Sequence, residues 1–348
     1  MLAIQGYSAD DLVAALEVPL AEARRLVSHV RRGGDLAGPV DQVRRTTLER
    51  LRGLACVPTL SVVDEERSAL DPFRKLVLAL AGGERIETVR IPLEKPGRFS
   101  VCVSSQVGCA LGCTFCATGR LGLKKNLESW EIVEQVRLVA ATLGPGQRVH
   151  GVVFQGMGEP MANLDRVLQA IRALRDPSGL AVDTRAITVC TSGLPTGIRR
   201  LATEMPKVRL GLSLGTAVRA KRRSLMPIDV AHPLDEVLKA AAEHAARTGM
   251  SPMFAVTLLS GVNDGVEDAD ALSEVIHSFA KATGHRPRLS IIPYNAIGGD
   301  EPYVRSAAER EDAFRERLRE RGVFSHKRYS GGSDVGAACG QLAGRVTA

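Results

Sequence analysis

The sequence predicts an α/β protein built on a parallel sheet, doubly wound or rolled into a barrel, behind a small helical unit. Two observations carry the prediction. After about residue 100, short apolar runs rich in β-branched residues alternate with longer amphipathic stretches, the pattern of repeated β/α units. Before about residue 80, apolar residues recur at helical spacing instead. The composition agrees with a folded protein. Of 348 residues, 45% are hydrophobic and 24% charged, enough apolar surface to offset the entropy of ordering. No uncharged apolar run approaches the ~18 residues that a membrane span needs.

The elements follow in order. Pro19 suits the first turn of a helix running to about Arg32, and Gly33-Gly34 end it. Leu20, Ala23, Val27 and Val30 form its apolar face. A second helix is expected over Val43 to Leu54. Residues 1–83 are therefore read as a helical accessory domain and 84–348 as the catalytic domain. Gly82-Gly83 and Lys95-Pro96-Gly97 split the β-rich stretch from Lys75 to Ser105 into hairpins. Strands are expected at Ser100–Ser104, Gly151–Gln155, Ile187–Thr191, Val208–Leu214, Met253–Leu259 and Leu289–Tyr294. Helices are expected between them at Trp130–Leu143, Leu164–Leu174, Leu234–Arg247 and Ala269–Ala282. That makes about six β/α units, whose functional residues belong at the C-terminal strand ends.

The first residues, MLAIQGYSADDLVAALE, turn acidic where a secretory leader needs an apolar core. A cytoplasmic protein is expected. The net charge is +7. Residues 1–83 hold 11 basic and 11 acidic side chains, so the excess lies in the catalytic domain. A phosphate-bearing partner would suit it, and so would simple solubility.

The seven cysteines are Cys56, Cys102, Cys109, Cys113, Cys116, Cys190 and Cys339. An odd number in a large chain argues against a disulfide framework. Three of them fall in Cys109-Ala-Leu-Gly-Cys113-Thr-Phe-Cys116. Thiolates converge on one point around a soft metal. Structural zinc usually takes four ligands from paired knuckles, and no second pair is present. Three cysteines suit a [4Fe–4S] cluster with one iron left without a protein ligand, since such clusters normally have four. Three buried core thiols are the plain alternative. Gly156-Met157-Gly158-Glu159-Pro160 follows the apolar run Val152-Val153-Phe154-Gln155. Its glycines admit close approach of a ligand to backbone, and its carboxylate could hold an ammonium group or simply cap a turn.

The Cys-x-x-x-Cys-x-x-Cys spacing, with Phe115 before the third cysteine, resembles the radical S-adenosylmethionine (SAM) superfamily. A wider match resembles the RlmN/Cfr family of RNA adenine methyltransferases, as a divergent member. It runs from Cys102-Val-Ser-Ser-Gln-Val-Gly-Cys109 through GMGEP, Ser213-Leu214 and Ile292-Pro293-Tyr294-Asn295 to Ala337-Ala338-Cys339-Gly340-Gln341-Leu342. The resemblance implies a partial, open (βα)6 barrel of the TIM type. It implies Cys109, Cys113 and Cys116 as ligands of a [4Fe–4S] cluster, with SAM as cofactor. It implies SAM contacts at Gly158, Glu159, Cys190, Ser213, Leu214, Gly215 and Asn295.

The resemblance also implies the reaction. Cys339 accepts a methyl group from one SAM. A radical made from a second SAM abstracts hydrogen from that S-methyl, which then adds to C2 of an adenosine in 23S rRNA, and in tRNA as a second substrate. Glu87 matches the proton acceptor, with Glu94 as rival carboxylate, and Cys102 resolves the protein–RNA adduct by forming a disulfide with Cys339. A low-potential electron donor such as flavodoxin is implied. Methylation at C8, a radical SAM enzyme acting on a peptide or small molecule, and a zinc-stabilised RNA-binding module are the alternatives. Two positions depart from the family pattern: Cys190 stands where a serine is usual, and Gly215 where a histidine is usual. Cys190 is equally readable as strand core. Arg120, Lys124, Lys125, Lys221-Arg222-Arg223 and Lys327-Arg328 are candidate RNA contacts or ordinary solvated faces.

Overall fold

A computed structural model describes residues 1–299 and 301–343. The N-terminal unit comprises β1 (Leu2–Ala3), α1 (Ala9–Leu16), α2 (Leu20–Arg31), α3 (Arg45–Leu54) and β2 (Ala55–Cys56). Ser8 starts α1 with a capping box: its Oγ accepts from the Asp11 amide, and the Asp11 carboxylate accepts from the Ser8 amide. Leu12, Leu26 and Leu51 are fully buried at the unit's own core, and β1 closes it by pairing parallel to β2.

Four strands follow as an antiparallel meander: β3 (Ser61–Arg67), β4 (Arg74–Ala79), β5 (Arg85–Pro92) and β6 (Arg98–Val103). The hairpin of β7 (Gln106–Cys109) and β8 (Gly122–Asn126) holds the cysteine loop and the short α4 (Ala117–Arg120). The β/α alternation then runs through α5 (Ser129–Ala141), β9 (Arg148–Phe154), α6 (Leu164–Arg175), β10 (Ile187–Thr191), α7 (Pro195–Glu204) and β11 (Arg209–Ser213). It continues with α8 (Arg219–Leu225), α9 (Leu234–Thr248), β12 (Met253–Leu258), α10 (Val266–Thr283), β13 (Arg288–Pro293), α11 (Ala308–Glu320) and β14 (Ser325–Lys327). One sheet of ten strands results, ordered β14-β13-β12-β11-β10-β9-β6-β5-β4-β3. It is parallel from β6 to β14 and open-ended, with β3 and β14 as its edges.

The expected domain boundary at residue 83 is corrected. Residues 61–79 form β3 and β4 of the main sheet, so the helical unit ends near Cys56. Ser61-Val-Val-Asp-Glu-Glu-Arg67 is an edge strand with three carboxylates and little burial, and charge on an edge hides strand periodicity. The short β14 was not expected either.

The helices cover one face of the sheet. Ile132, Val167, Ile171, Ile198 and Val237 pack with Val152, Val189, Leu210 and Leu212 in the main core, each buried aliphatic contributing about 1.5–3 kcal/mol. Strand alternation then fixes what faces the other way. Cys102 pairs with Val153, Val153 with Thr188, Cys190 with Gly211, Ser213 with Ala255, and Thr257 with Ile292. Paired residues share a face and side chains repeat every two positions. Cys102, Gln155, Cys190, Ser213, Ala255, Thr257 and Ile292 therefore lie on the inner face.

The tail after β14 folds back over the C-terminal strand ends. The Arg328 amide donates to the Ile291 carbonyl and the Ala117 amide to the Gly340 carbonyl, both at 2.8 Å. The Thr118 hydroxyl donates to the Leu342 carbonyl at 2.6 Å, and the Ala343 amide to a Glu87 carboxylate oxygen at 2.9 Å.

Candidate active site

The cysteine loop lies at the C-terminal ends of the parallel strands. Cys109 closes β7 and Cys116 caps α4. Backbone amides point at two of the sulfurs: Leu111 at Cys109, and Thr118 and Gly119 at Cys116. The Ser192 hydroxyl meets Cys113. Burial pushes the Cys109 and Cys113 thiols up to about 12, with Cys116 adding to both. Three soft donors gathered in a buried loop, with amides ready for negative sulfur, fit a metal-bound thiolate set. Among the described residues no three His, Cys, Asp or Glu side chains are placed to hold a single metal ion.

Two cavities flank this loop. One, of about 740 Å³ including space open to solvent, is lined by Cys113, Cys116, Ser192, Ser213, Gly215 and Tyr294 among others. The second, about 620 Å³, is lined by Cys102, Cys339, Arg328, Phe73, Tyr329 and Ile91 among others. Cys116, Gln155, Cys339 and Gly340 border both. The two cysteines outside the loop thus face one chamber beside it, although they come from β6 and from the tail. All seven cysteines are free thiols. Burial and the neighbouring Cys339 raise the Cys102 thiol well above its ordinary value.

The remaining expected residues divide. Ser213 and Gly215 line the larger cavity. Gly215 has φ +71°, and a Cβ there would stand 2.4 Å from the Met226 sulfur, so methionine fills the space where an imidazole is usual. Leu214 is fully buried, and only its backbone is polar: its carbonyl accepts from Arg222. Cys190 is buried on β10 with its sulfur over Gly211. The Asn295 amide donates to the Ser330 hydroxyl and the Cys339 carbonyl, so it anchors the tail.

The Glu159 carboxylate, expected to meet an ammonium group, is buried at the end of β9 and bonded to backbone. Its two oxygens accept from the Met161 and Ser192 amides, which makes it a buried cap joining the ends of β9 and β10. Gly158, at φ +99°, lies so close to Gln106 that a Cβ would meet that side chain at 2.5 Å. Gln106 accepts from the Glu159 amide and donates to Asn126. Here the glycine serves chain packing.

Glu87 is buried on β5, 3.3 Å from Lys75, with its second oxygen on the Ala343 amide. Its rival Glu94 is exposed. Among the basic runs, Arg222 is fully buried on Asp229 and so is not a surface contact, whereas Arg328 is half-buried and faces the second cavity with Gln155. Lys125, Lys221 and Lys327 pair with Glu131, Asp268 and Glu311. Arg120, Lys124 and Arg223 are exposed. Sequence reading passed over Gln155, Ser192 and Met226 as site residues; Gln155 and Ser192 stood at strand ends, the one signal that could have found them.

Residues 103–272 match the model of the radical SAM superfamily. A probable RNA methyltransferase of Sorangium cellulosum is 57% identical over 96% of this chain and 90% of its own length. A dual-specificity RNA methyltransferase RlmN of Syntrophobacter fumaroxidans is 40% identical over 92% of this chain and 91% of its own. The chain belongs to the RlmN-type radical SAM RNA methyltransferases. The crystal structure of a radical SAM methyltransferase from Sphaerobacter thermophilus superposes with a TM-score of 0.87 at 34% identity, over 99% of this chain and 100% of that one. Membership brings a [4Fe–4S] cluster and SAM as cofactors. In this RlmN-type chain, Cys109, Cys113 and Cys116 are the residues able to hold the cluster, and the cavity of Ser192, Ser213 and Gly215 adjoins them.

Proposed function

We propose that this protein methylates C2 of an adenosine in 23S rRNA, with tRNA as a second substrate, through a methylated Cys339. The reading rests on one placement: Cys102 and Cys339 face a single chamber whose wall includes Cys116. Adenine C2 carries no nucleophilic lone pair, so direct displacement on a sulfonium is unfavourable and the methyl must first be carried by the protein. Cys339, as thiolate, forms an S–CH3 bond while the sulfonium C–S bond breaks. The cluster with a second SAM, when bound, supplies the 5′-deoxyadenosyl radical that removes hydrogen from that methyl group. Once the methylene carbon is joined to C2, Glu87 would accept the C2 proton, with Lys75 as the cation beside it, and the odd electron of the adduct would pass to the oxidised cluster. Cys102, as thiolate, then attacks the Cys339 sulfur; the S–S bond forms as the carbon–sulfur bond breaks, the released carbon takes up a proton to become the methyl group, and the methylated base leaves.

Reaching C2 requires an unstacked nucleotide. Exposed Arg120 and Lys124 beside the cysteine loop, and Arg223 on α8, are the proposed phosphate contacts. A flavodoxin-like reductant and a cytoplasmic location belong to the same reading. Among the described residues no helix is long and apolar enough to cross a membrane. Nucleoside mass spectrometry of rRNA and tRNA from cells with and without the gene tests the reading. It expects 2-methyladenosine to vanish with the gene; loss of 8-methyladenosine instead, or of no methyladenosine, refutes it.

A further inference from the structure

The chamber shared by Cys102 and Cys339 contains a guanidinium that the reaction above does not use. Arg328 follows β14, its amide held by the Ile291 carbonyl, and its side chain lines the chamber. One nitrogen donates to the Gln155 side-chain oxygen at 2.9 Å. Among the described residues no carboxylate forms an ion pair with it, and the groups acting on its charge are Cys339, Cys190 and Cys102. A half-buried guanidinium in a chamber wall with no acid partner suits an anion, and the side chains offered are thiols.

We infer that Arg328 is a positioning residue: one cation shared by Cys102 and Cys339, so placed that the second sulfur is activated only after the first has been consumed. The inference rests on the methyl-cysteine reading above. Two neighbouring sulfurs in a low-dielectric chamber do not both ionise readily. A charge on the Cys339 sulfur opposes ionisation of Cys102. When Cys339 carries a methyl group, or is joined to the base, it is a neutral thioether. The opposing charge is gone and Arg328 remains, so Cys102 becomes the nucleophile at the stage where one is required. The groups facing Cys102 support this. From the tail comes Cys339, from the end of β14 Arg328, from β10 Cys190, and from β9 the Gln155 amide. Of the side chains, only Arg328 favours the thiolate; burial and both neighbouring thiols oppose it. Lys75, the other cation under the tail, is turned to Glu66 and Glu87.

The test uses the anaerobically reconstituted holoenzyme, SAM and in-vitro transcripts of 23S rRNA. Arg328→Gln should keep its iron but accumulate a covalent enzyme–RNA species on denaturing gels. Resolution of that species should slow about tenfold at neutral pH, the effect of one unit in thiol pKa, and its pH profile should move to higher pH. Arg328→Lys should recover most of the rate. Unchanged resolution with an unshifted profile overturns the inference, and so does a loss that is equal at every pH and not rescued by lysine. A second measurement needs no variant: in the wild-type protein without RNA, iodoacetamide should alkylate Cys102 faster once Cys339 is methylated. Equal reactivity before and after overturns the ordering. A wild-type protein that never carries methyl on Cys339 overturns the methyl-cysteine reading itself, and intact mass distinguishes that result from a failure of Arg328 alone.

Discussion

Arg222 offers the sharpest test of how the larger cavity is held open. Its side chain is fully enclosed and ties three elements together. It donates to the Leu214 carbonyl at 3.0 Å, to the Ser192 carbonyl at 2.9 Å, and to the Asp229 carboxylate. Those carbonyls flank residues that line the cavity, and Asp229 also accepts from the Leu234 amide that begins α9. Arg222→Met keeps much of the volume and removes the charge. Breaking one side of a buried pair costs about 3–5 kcal/mol, because the other charge is stranded. Two carbonyls lose donors as well, at about 1–3 kcal/mol each where water cannot replace them. A loss of at least about 3 kcal/mol is expected in urea unfolding followed by circular dichroism under anaerobic, reducing conditions. SAM should bind more weakly, since Ser192 and Ser213 lose their brace. Adding Asp229→Leu should restore at least half of the stability, because the stranded charge is then gone. A single variant within about 1 kcal/mol of wild type, or a double variant worse than the single, refutes the reasoning.

Three further outcomes are expected. Gly215→His, which restores the residue usual at that position, should cost about 2 kcal/mol or more from left-handed backbone and overpacking against Met226; thermal unfolding checks it, and Met226→Ala should relieve part of the loss. His244 is buried with both ring nitrogens unpartnered, and burial depresses its pKa from 6.5 to about 4. Between those values the unfolded chain binds a proton that the folded chain does not, so stability should fall as pH falls through that window, by up to about 3 kcal/mol at its acid end; His244→Phe should flatten the slope in denaturant titrations at several pH values. Cys102→Ala should trap a covalent enzyme–RNA species on denaturing gels, whereas Cys339→Ala should abolish RNA methylation and keep its iron.

Much of the fold was legible because apolar runs punctuated by glycine and proline mark parallel strands well. The expected strand Ile187–Thr191 has those bounds in the structure, and the helices over α5, α6, α9 and α10 lie within a few residues of expectation. The edges were not legible. β3 is charged and half exposed, and β14 is three residues long. The cysteine loop was legible as spacing, because its ligands are local. The meeting of Cys102 with Cys339 was not derivable from pattern: it depends on the tail returning across the strand ends, and only the family resemblance pointed to it. Side-chain bonding was the least legible. Lys221-Arg222-Arg223 reads as one basic run, yet its three members pair with Asp268, bury on Asp229, and face solvent. Glu159 reads as a ligand, and its two bonds to backbone amides of neighbouring loops leave no mark in the sequence.

The claim beneath all of this is that Cys109, Cys113 and Cys116 together hold an iron–sulfur cubane. Metal analysis of the anaerobically reconstituted protein tests it most directly. About four irons per chain are expected, falling steeply when any one of the three cysteines is replaced by alanine. A chain that binds one zinc and no iron, or that keeps its iron after all three replacements, contradicts the account.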